Sequence, residues 1–176
     1  MYFSKTMLIK FLMACRGVHF AINGADADRL LAALSADEVL RIIQEDIEEK
    51  WDEAWLYQTD KAWDAIHRCL TDGTLSLTSG VYPLKLAILN GRRIDAGSNY
   101  IVSLTTPDQA KDVAAGLGTV TRESLSKRYE AIDPNDYGMP KSLGDFEYTW
   151  DWFDGLAAFF QKASEANRYV IFTVDQ

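Results

Sequence analysis

The stretch "TDKAWDAIHRCLTDG", residues 59–73, predicts an amphipathic helix at the centre of the fold. We expect this helix to begin near Thr59 or Asp60, because an acid in the first turn interacts favourably with the helix dipole. It should end at Asp72-Gly73, since glycine is common directly after the last turn. Apolar residues at helical spacing predict one face that packs against a core. They are Ala62, Ile66, Cys69 and Leu70.

A second face of this predicted helix combines two acids with one imidazole. At about 100° per residue, its members fall within roughly 100° of arc. They are Asp60, Trp63, Asp64 and His67. In a catalytic interpretation, Asp64 or Asp60 orients His67 as a general base, or the three bind a metal ion. In a structural interpretation, Asp60 caps the helix, His67 makes a buried hydrogen bond, and Trp63 packs in the core.

The catalytic interpretation has little further support in the sequence. A metal site would need more ligands, and the only other imidazole is that of His19, in a predicted strand. The chain also lacks the short motifs of nucleotide binding, of serine hydrolases and of zinc proteases. We therefore predict no metal and no cofactor, and we favour a non-catalytic protein.

A preceding helix carries a run of acids. Ser35 and Glu38 have the spacing of a capping box and predict that this helix begins at Ser35. Trp51 and Trp55, four residues apart, are predicted to share one of its faces. The acids form either a solvated surface or a docking surface for a basic protein partner. They are Glu45, Glu48, Glu49, Asp52 and Glu53.

Aromatic residues cluster near the end of the chain, in "FEYTWDWF", residues 146–153. Together with Trp63, the side chains of Trp150 and Trp152 are candidates for the wall of a ligand pocket. Core packing explains the cluster as well, because its rings recur at helical spacing through one predicted last helix that continues to Phe160.

The remaining elements complete an α+β pattern, with several helices on a small sheet in a single domain. Strands are predicted at residues 16–22, 100–104 and 168–174, and helices at residues 25–34, 107–116 and 122–132. The helix at residue 107 should begin with a capping box formed by Thr106 and Gln109.

Composition limits the classes of partner and compartment. The 18 basic and 26 acidic residues give a net charge of −8, which repels nucleic acid and anionic membranes. The two cysteines, Cys15 and Cys69, have no metal-ligand spacing, so we expect reduced thiols in a cytoplasmic protein.

The stretch at residues 59–73 resembles the D-K-x-W-D-x-[LI]-H-x-x-L-T-G signature of the YfbM-like family, small bacterial proteins of unknown function. Asp72 is one extra residue before the glycine. The opening strand "MACRGVHFAI" and the segment "YIVSLTTPDQAKDVAAGL" also resemble this family, which implies a compact α+β domain from residue 13 to residue 176 and no known activity. Residues 1–12 match nothing in the family. They form a predicted N-terminal extension and favour Met13 as the natural start.

Two functional hypotheses follow. The first is a non-catalytic binding protein that engages a basic protein partner, including an immunity-type inhibitor of a toxin or effector. The alternative is a small-ligand-binding protein or enzyme that uses Asp64 and His67 in an aromatic-lined pocket. The sequence leaves the oligomeric state open.

Overall fold

A five-stranded antiparallel sheet organises residues 15–175, which are the residues that the computed structural model describes. The strands are β1 (Gly17–Ile22), β2 (Leu56–Asp60), β3 (Arg92–Asp95), β4 (Tyr100–Thr105) and β5 (Tyr169–Asp175), in the order β2-β1-β5-β4-β3. The last strand is therefore central, because β5 pairs with β1 on one side and with β4 on the other. The predicted extension at residues 1–12 and the predicted start at Met13 lie outside the described residues.

Both faces of the sheet are covered by helices. Side chains alternate along a strand, so Val18 and Phe20 of β1 point to one face while His19 and Ala21 point to the other. The first face is covered by α1 (Gly24–Ala32), α2 (Ala36–Arg41) and a π-helical continuation of α2 (Ile42–Glu48). The predicted α+β class is confirmed.

The second face is covered by a larger helical layer. It contains α3 (Trp63–Leu70), α4 (Pro107–Leu117), α5 (Arg122–Glu130), α6 (Pro134–Tyr137), α7 (Leu143–Phe153) and α8 (Leu156–Glu165), with a 3₁₀ turn at Leu84–Ala87. The predicted capping box of α4 is present, because Thr106 Oγ1 accepts from the Gln109 N–H and Gln109 Oε1 accepts from the Thr106 N–H. None of the helices among residues 15–175 is long and apolar enough to cross a membrane.

The predicted start of the helix at Thr59 or Asp60 is wrong. Residues 56–60 form β2 instead, in which Gln58 pairs with Val18 of β1, and the helix begins at Trp63. Asp60 turns the chain between the two elements with a positive φ of 42°. A long-range strand pairing decides the conformation here, and local helical spacing gives no sign of it.

Two other helix predictions are also corrected. The helix from Ser35 ends at Glu48, so Trp51 and Trp55 lie in the turn before β2 and share no helical face. The predicted last helix is divided into α7 and α8 at Gly155, whose N–H donates to Tyr57 Oη at 3.1 Å. A Cβ at position 155 would lie 2.7 Å from Tyr57 Cε2, so any other residue there would have to displace the Tyr57 ring of β2.

Candidate functional site

A cavity of about 230 Å³ lies at the turn between β2 and α3. The turn and the first residues of α3 line it with Lys61, Ala62, Trp63 and Asp64. The other walls come from Cys15 before β1, from the end of α6 and its connection to α7 (Tyr137, Gly138 and Met139), and from α7 (Asp145 and Tyr148). A β2–α3 turn and the α6–α7 region thus meet at one concave site, the type of place where small ligands bind.

A buried arginine fixes the position of Asp64. The Arg68 side chain is 3% exposed, and its Nε donates to Asp64 Oδ1 at 2.6 Å. Its Nη1 donates to Asp136 Oδ2 at 2.5 Å, which ties α3 to α6. Burial raises the pKa of Asp64, although the hydrogen bond from Arg68 opposes that change. Arg68 therefore joins the wall that carries Asp64 to the wall that carries Tyr137, because it pairs with Asp64 in α3 and with Asp136 in α6.

Two tyrosines of the cavity wall donate their hydroxyl protons to carboxylates. Tyr137 Oη donates to Asp145 Oδ2 at 2.9 Å, and Tyr129 donates to the same oxygen at 2.6 Å. Tyr148 Oη donates to Asp60 Oδ2 at 2.5 Å. Burial is the largest cause that raises the pKa of Tyr137, and it raises that of Tyr148 to about 12. Both phenols are therefore neutral at physiological pH.

Trp63 lies between the cavity and the core. Its indole Nε1 donates to the carbonyl of Cys15 at 3.2 Å, and its ring centroid lies 5.9 Å from that of Phe172 in the central strand. The side chain is 6% exposed. Trp63 thus packs in the core as the structural interpretation predicted, and it also lines the cavity.

His67 is directed to a different partner. Its Nε2 donates to the carbonyl of Ser76 at 2.9 Å, the residue is 1% exposed, and burial lowers its pKa. It is not among the described residues that line the cavity. Asp60, Asp64 and His67 therefore do not form the predicted group on one helix face, since Asp60 is in β2 and each side chain has a different partner.

His19 is also enclosed in the core. Its Nε2 donates to the carbonyl of Ala87 at 2.8 Å, and burial lowers its pKa to about 4. The rings of Phe159, Phe160 and Phe172 surround it. Within residues 15–175, no group of three or more histidine, cysteine or acidic side chains is arranged to hold a metal ion.

Comparisons with known proteins identify a family and a solved structure of similar fold. A family model described as a domain of unknown function, DUF1877, matches residues 13–173. The chain belongs to this family. The crystal structure of YfbM from Escherichia coli, a protein of unknown function, is similar over 90% of this chain and 99% of that chain, with a TM-score of 0.65 and 18% identity. The predicted resemblance to YfbM-like proteins is confirmed, and at this identity the structural likeness shows the fold alone. No curated protein matches.

Neither of the other tryptophan candidates in this DUF1877 chain lines the cavity. The Trp150 ring packs against Phe153, with the Arg122 guanidinium 5.9 Å from its centroid. Trp152 contributes its carbonyl to Tyr57, and its ring lies against that of Tyr148. Both side chains are half-buried and pack against the hydrophobic core on the second face of the sheet, as core packing predicted.

The sequence did not single out Tyr137, Met139 or Asp145. Tyr148 belonged to the quoted aromatic cluster, and its spacing indicated only that it would be buried. Asp145 could have been noticed as an acid in the first turn of a helix, where it would be expected only to interact with the dipole. Its function as acceptor for two tyrosines depends on the fold.

The acidic run does not form one helical surface. Glu45 and Glu49 lie at the π-helical segment and its end, whereas Asp52 and Glu53 lie in the turn before β2, and all four are exposed. Glu48 is half-buried, and its Oε1 accepts from Thr173 Oγ1 at 3.1 Å and from the hydroxyl of Tyr100. Burial raises the pKa of Glu48. We call the four exposed acids the acidic surface.

Proposed function

We propose that this protein is a non-catalytic binding protein whose cavity at the β2–α3 turn holds a small ligand. The observation that carries the proposal is the position of the family signature. Lys61, Trp63 and Asp64, three of the residues that carry the resemblance, line one cavity together with Asp145 and residues of the α6–α7 region. Ligand sites commonly combine apolar walls with a few fixed polar groups, and this cavity has that composition.

The polar groups of the cavity are already held in place. Arg68 fixes the Asp64 carboxylate, and Asp145 fixes the hydroxyl of Tyr137. A site whose side chains are ordered before binding loses less conformational entropy when a ligand enters. This arrangement supports binding as the function of the cavity.

The positions of the histidines support a non-catalytic function. A general base must come within hydrogen-bond reach of the proton that it removes. His67 and His19 each donate to a backbone carbonyl, are buried, and have lowered pKa values. Neither is among the described residues at the cavity wall. We therefore replace the His67 mechanism with a binding site that uses Asp64 and Trp63.

The proposal is tested by a small-molecule screen followed by NMR. Compounds that bind should shift the indole N–H signal of Trp63 and the backbone signals of Gly138 and Met139. In Met139→Trp the larger side chain should fill the cavity and abolish these shifts. The matched control is Leu143→Trp, because Leu143 is 75% exposed and lies outside the cavity wall. A screen without any hit at these residues, or hits that Met139→Trp still binds, would contradict the proposal.

A second candidate function is the binding of a basic protein partner at the acidic surface. In this function the protein would act as an immunity-type inhibitor, and its partner would be a toxin or effector. Its support is that Glu45, Glu49, Asp52 and Glu53 are all exposed on one short segment of a chain with a net charge of −8. Complementary charge of this kind accelerates association with a partner of opposite sign.

This candidate is tested by charge reversal with a matched control. The variant Glu45→Lys/Glu49→Lys/Glu53→Lys should lose a basic partner that the wild-type chain retains in affinity capture. The control Glu123→Lys/Glu130→Lys/Glu165→Lys makes the same change in net charge at exposed sites on the opposite helical layer. Equal loss of the partner in both variants would indicate a non-specific charge effect and would reject the acidic surface.

A further inference from the structure

We propose that the ligand of the cavity is a small alkylated ammonium ion, held by aromatic rings and by the carboxylates of Asp64 and Asp145. This inference rests on the proposed ligand-binding function and adds the chemical class of the ligand. Three properties of the cavity wall carry it: its aromatic side chains, its charge and its apolar surface.

Three aromatic side chains line the cavity, those of Trp63, Tyr137 and Tyr148. The π faces of such rings attract cations, and several rings around one site form the usual recognition unit for alkylated ammonium groups. Both tyrosines already donate their hydroxyl protons to carboxylates. The Arg68 guanidinium already lies 5.7 Å from the centroid of the Tyr137 ring, so one ring of this wall is beside a cation before any ligand enters. What the two tyrosines offer to a ligand is the ring surface that lines the cavity and the oxygen lone pairs, and both of these attract positive charge.

The charges at the wall also favour a cation. Two carboxylates, Asp64 and Asp145, line the cavity together with one ammonium group, that of Lys61. Arg68 adds a positive charge beside Asp64, but it also pairs with Asp136 and is thereby balanced. The cavity therefore has an excess of negative charge in partly apolar surroundings, where charge interactions are stronger than in water.

The remaining wall favours alkyl groups on that cation. Ala62 and Met139 add apolar surface beside the rings. Methyl groups of the cation that face this apolar surface need no hydrogen bonds, whereas an N–H proton that faces it would lose its hydration without finding an acceptor there. A cavity of 150 Å³ is large enough for benzene, so one of about 230 Å³ can enclose a trimethylammonium group with a short chain.

The experiment compares two probes of nearly identical shape, choline and its neutral carbon isostere 3,3-dimethylbutan-1-ol. Isothermal calorimetry gives the affinities, and the NMR signals of Trp63 and Gly138 show whether each probe enters the cavity. We expect choline to bind at least about tenfold more tightly than the isostere, in line with the strength of desolvated cation–π contacts. Equal affinities would overturn the cation proposal and leave the ligand-binding function intact.

Variants locate the charge preference at the cavity. Asp145→Asn removes one negative charge and keeps an oxygen acceptor for the two tyrosine hydroxyls, so choline affinity should fall several-fold while that of the isostere stays the same. Its control is Asp151→Asn, an exposed residue of the same helix outside the cavity wall. Lys61→Gln should strengthen choline binding because it removes the opposing charge. A gain of affinity cannot result from damage to the fold, so this variant keeps the test decisive if Asp145→Asn is unstable.

The outcomes separate this inference from the proposed function. If neither probe binds and other compounds of the screen enter the cavity, the alkylammonium class is rejected and ligand binding stands. If choline shifts the cavity signals equally in wild type, Asp145→Asn and Lys61→Gln, the charge argument is rejected. If no compound of any class enters the cavity, both proposals fail.

Discussion

The two halves of the family signature differ in what they contact. The first half, residues 60–64, forms the turn between β2 and α3 and provides four of the residues that line the cavity. The second half, residues 65–73, is largely internal. Ala65, Ile66 and Cys69 are at most 1% exposed, and His67 is hydrogen-bonded to the loop at Ser76.

This difference shows why the strength of a motif does not reveal a function. Both halves of the signature carry the resemblance equally, yet only the first lines the cavity. The most suggestive residue in chemical terms, His67, belongs to the scaffold half. Four changes, in order of decreasing effect, compare the buried scaffold with the cavity wall and with the acidic surface.

The largest effect is expected from Arg68→Met in the scaffold half. Removal of the guanidinium leaves Asp64 without its buried partner, and loss of one member of a buried ion pair costs about 3–5 kcal/mol of unfolding free energy. Urea denaturation measures the change. Lys127→Met is the control, because Lys127 pairs with Glu123 on an exposed surface and should cost less than about 1 kcal/mol. Similar losses in both variants would contradict the internal position of the second half.

Acidification should destabilise the protein through its buried histidines. Their folded-state pKa values are lowered, so the unfolded state takes up protons first as the pH falls below the unfolded value, roughly 6.5. Stability is therefore fully present above that pH and is lost below it. Between pH 7 and pH 5.5 we expect a loss of about 1 kcal/mol from His19 alone, and the lowered pKa of His67 adds a further loss of the same sign.

The matched variant for this pH effect is His19→Gln/His67→Gln, in which each amide can still donate to the backbone carbonyl. Its stability should no longer fall over the same pH interval, because the two imidazoles that take up protons in the unfolded state are absent, and the raised pKa values of Asp64 and Glu48 act in the opposite direction. NMR should also show that the wild-type imidazoles do not titrate near pH 6.5. A His67 signal that titrates there would place this residue in contact with water and reopen its role at a site.

A moderate effect is expected from Tyr148→Phe in the cavity wall. The variant keeps the ring and removes the hydrogen bond to Asp60, which should cost about 1 kcal/mol of unfolding free energy. The shape of the apolar wall is unchanged, so probes of the cavity should still enter it. Unfolding of the variant at room temperature would show that the first half of the signature is as essential to the scaffold as the second.

The smallest effect on stability is expected at the acidic surface. Glu45→Lys/Glu49→Lys exchanges two exposed acids, at the cost of an ion pair 3.7 Å long between Arg41 and Glu45. The change in unfolding free energy should stay within about 0.5 kcal/mol. Thermal denaturation checks this value, and a large loss would indicate that the acids contribute to the fold and cannot be assessed as a docking surface alone.

Local patterns in the sequence determined much of the architecture. The strands at residues 17–22, 100–105 and 169–175 and the capped start of α4 at Thr106 were predicted close to their observed limits. They depend on alternating or β-branched side chains and on contacts a few residues apart, which are visible in a linear chain. The family signature also indicated correctly to which family the chain belongs.

Only the tertiary structure decided β2, the break at Gly155 and the cavity. Thr59 and Asp60 were expected at the start of a helix, yet β1 offers residues 56–60 backbone hydrogen bonds from about 40 residues away in the sequence, and this pairing prevails. Strand β2 in turn places Tyr57 against Gly155 and Asp60 against Tyr148. The candidate site is formed by segments up to 133 residues apart, from Cys15 to Tyr148. No local sequence pattern predicts that these segments lie together, because their proximity depends on how the helices pack on the sheet.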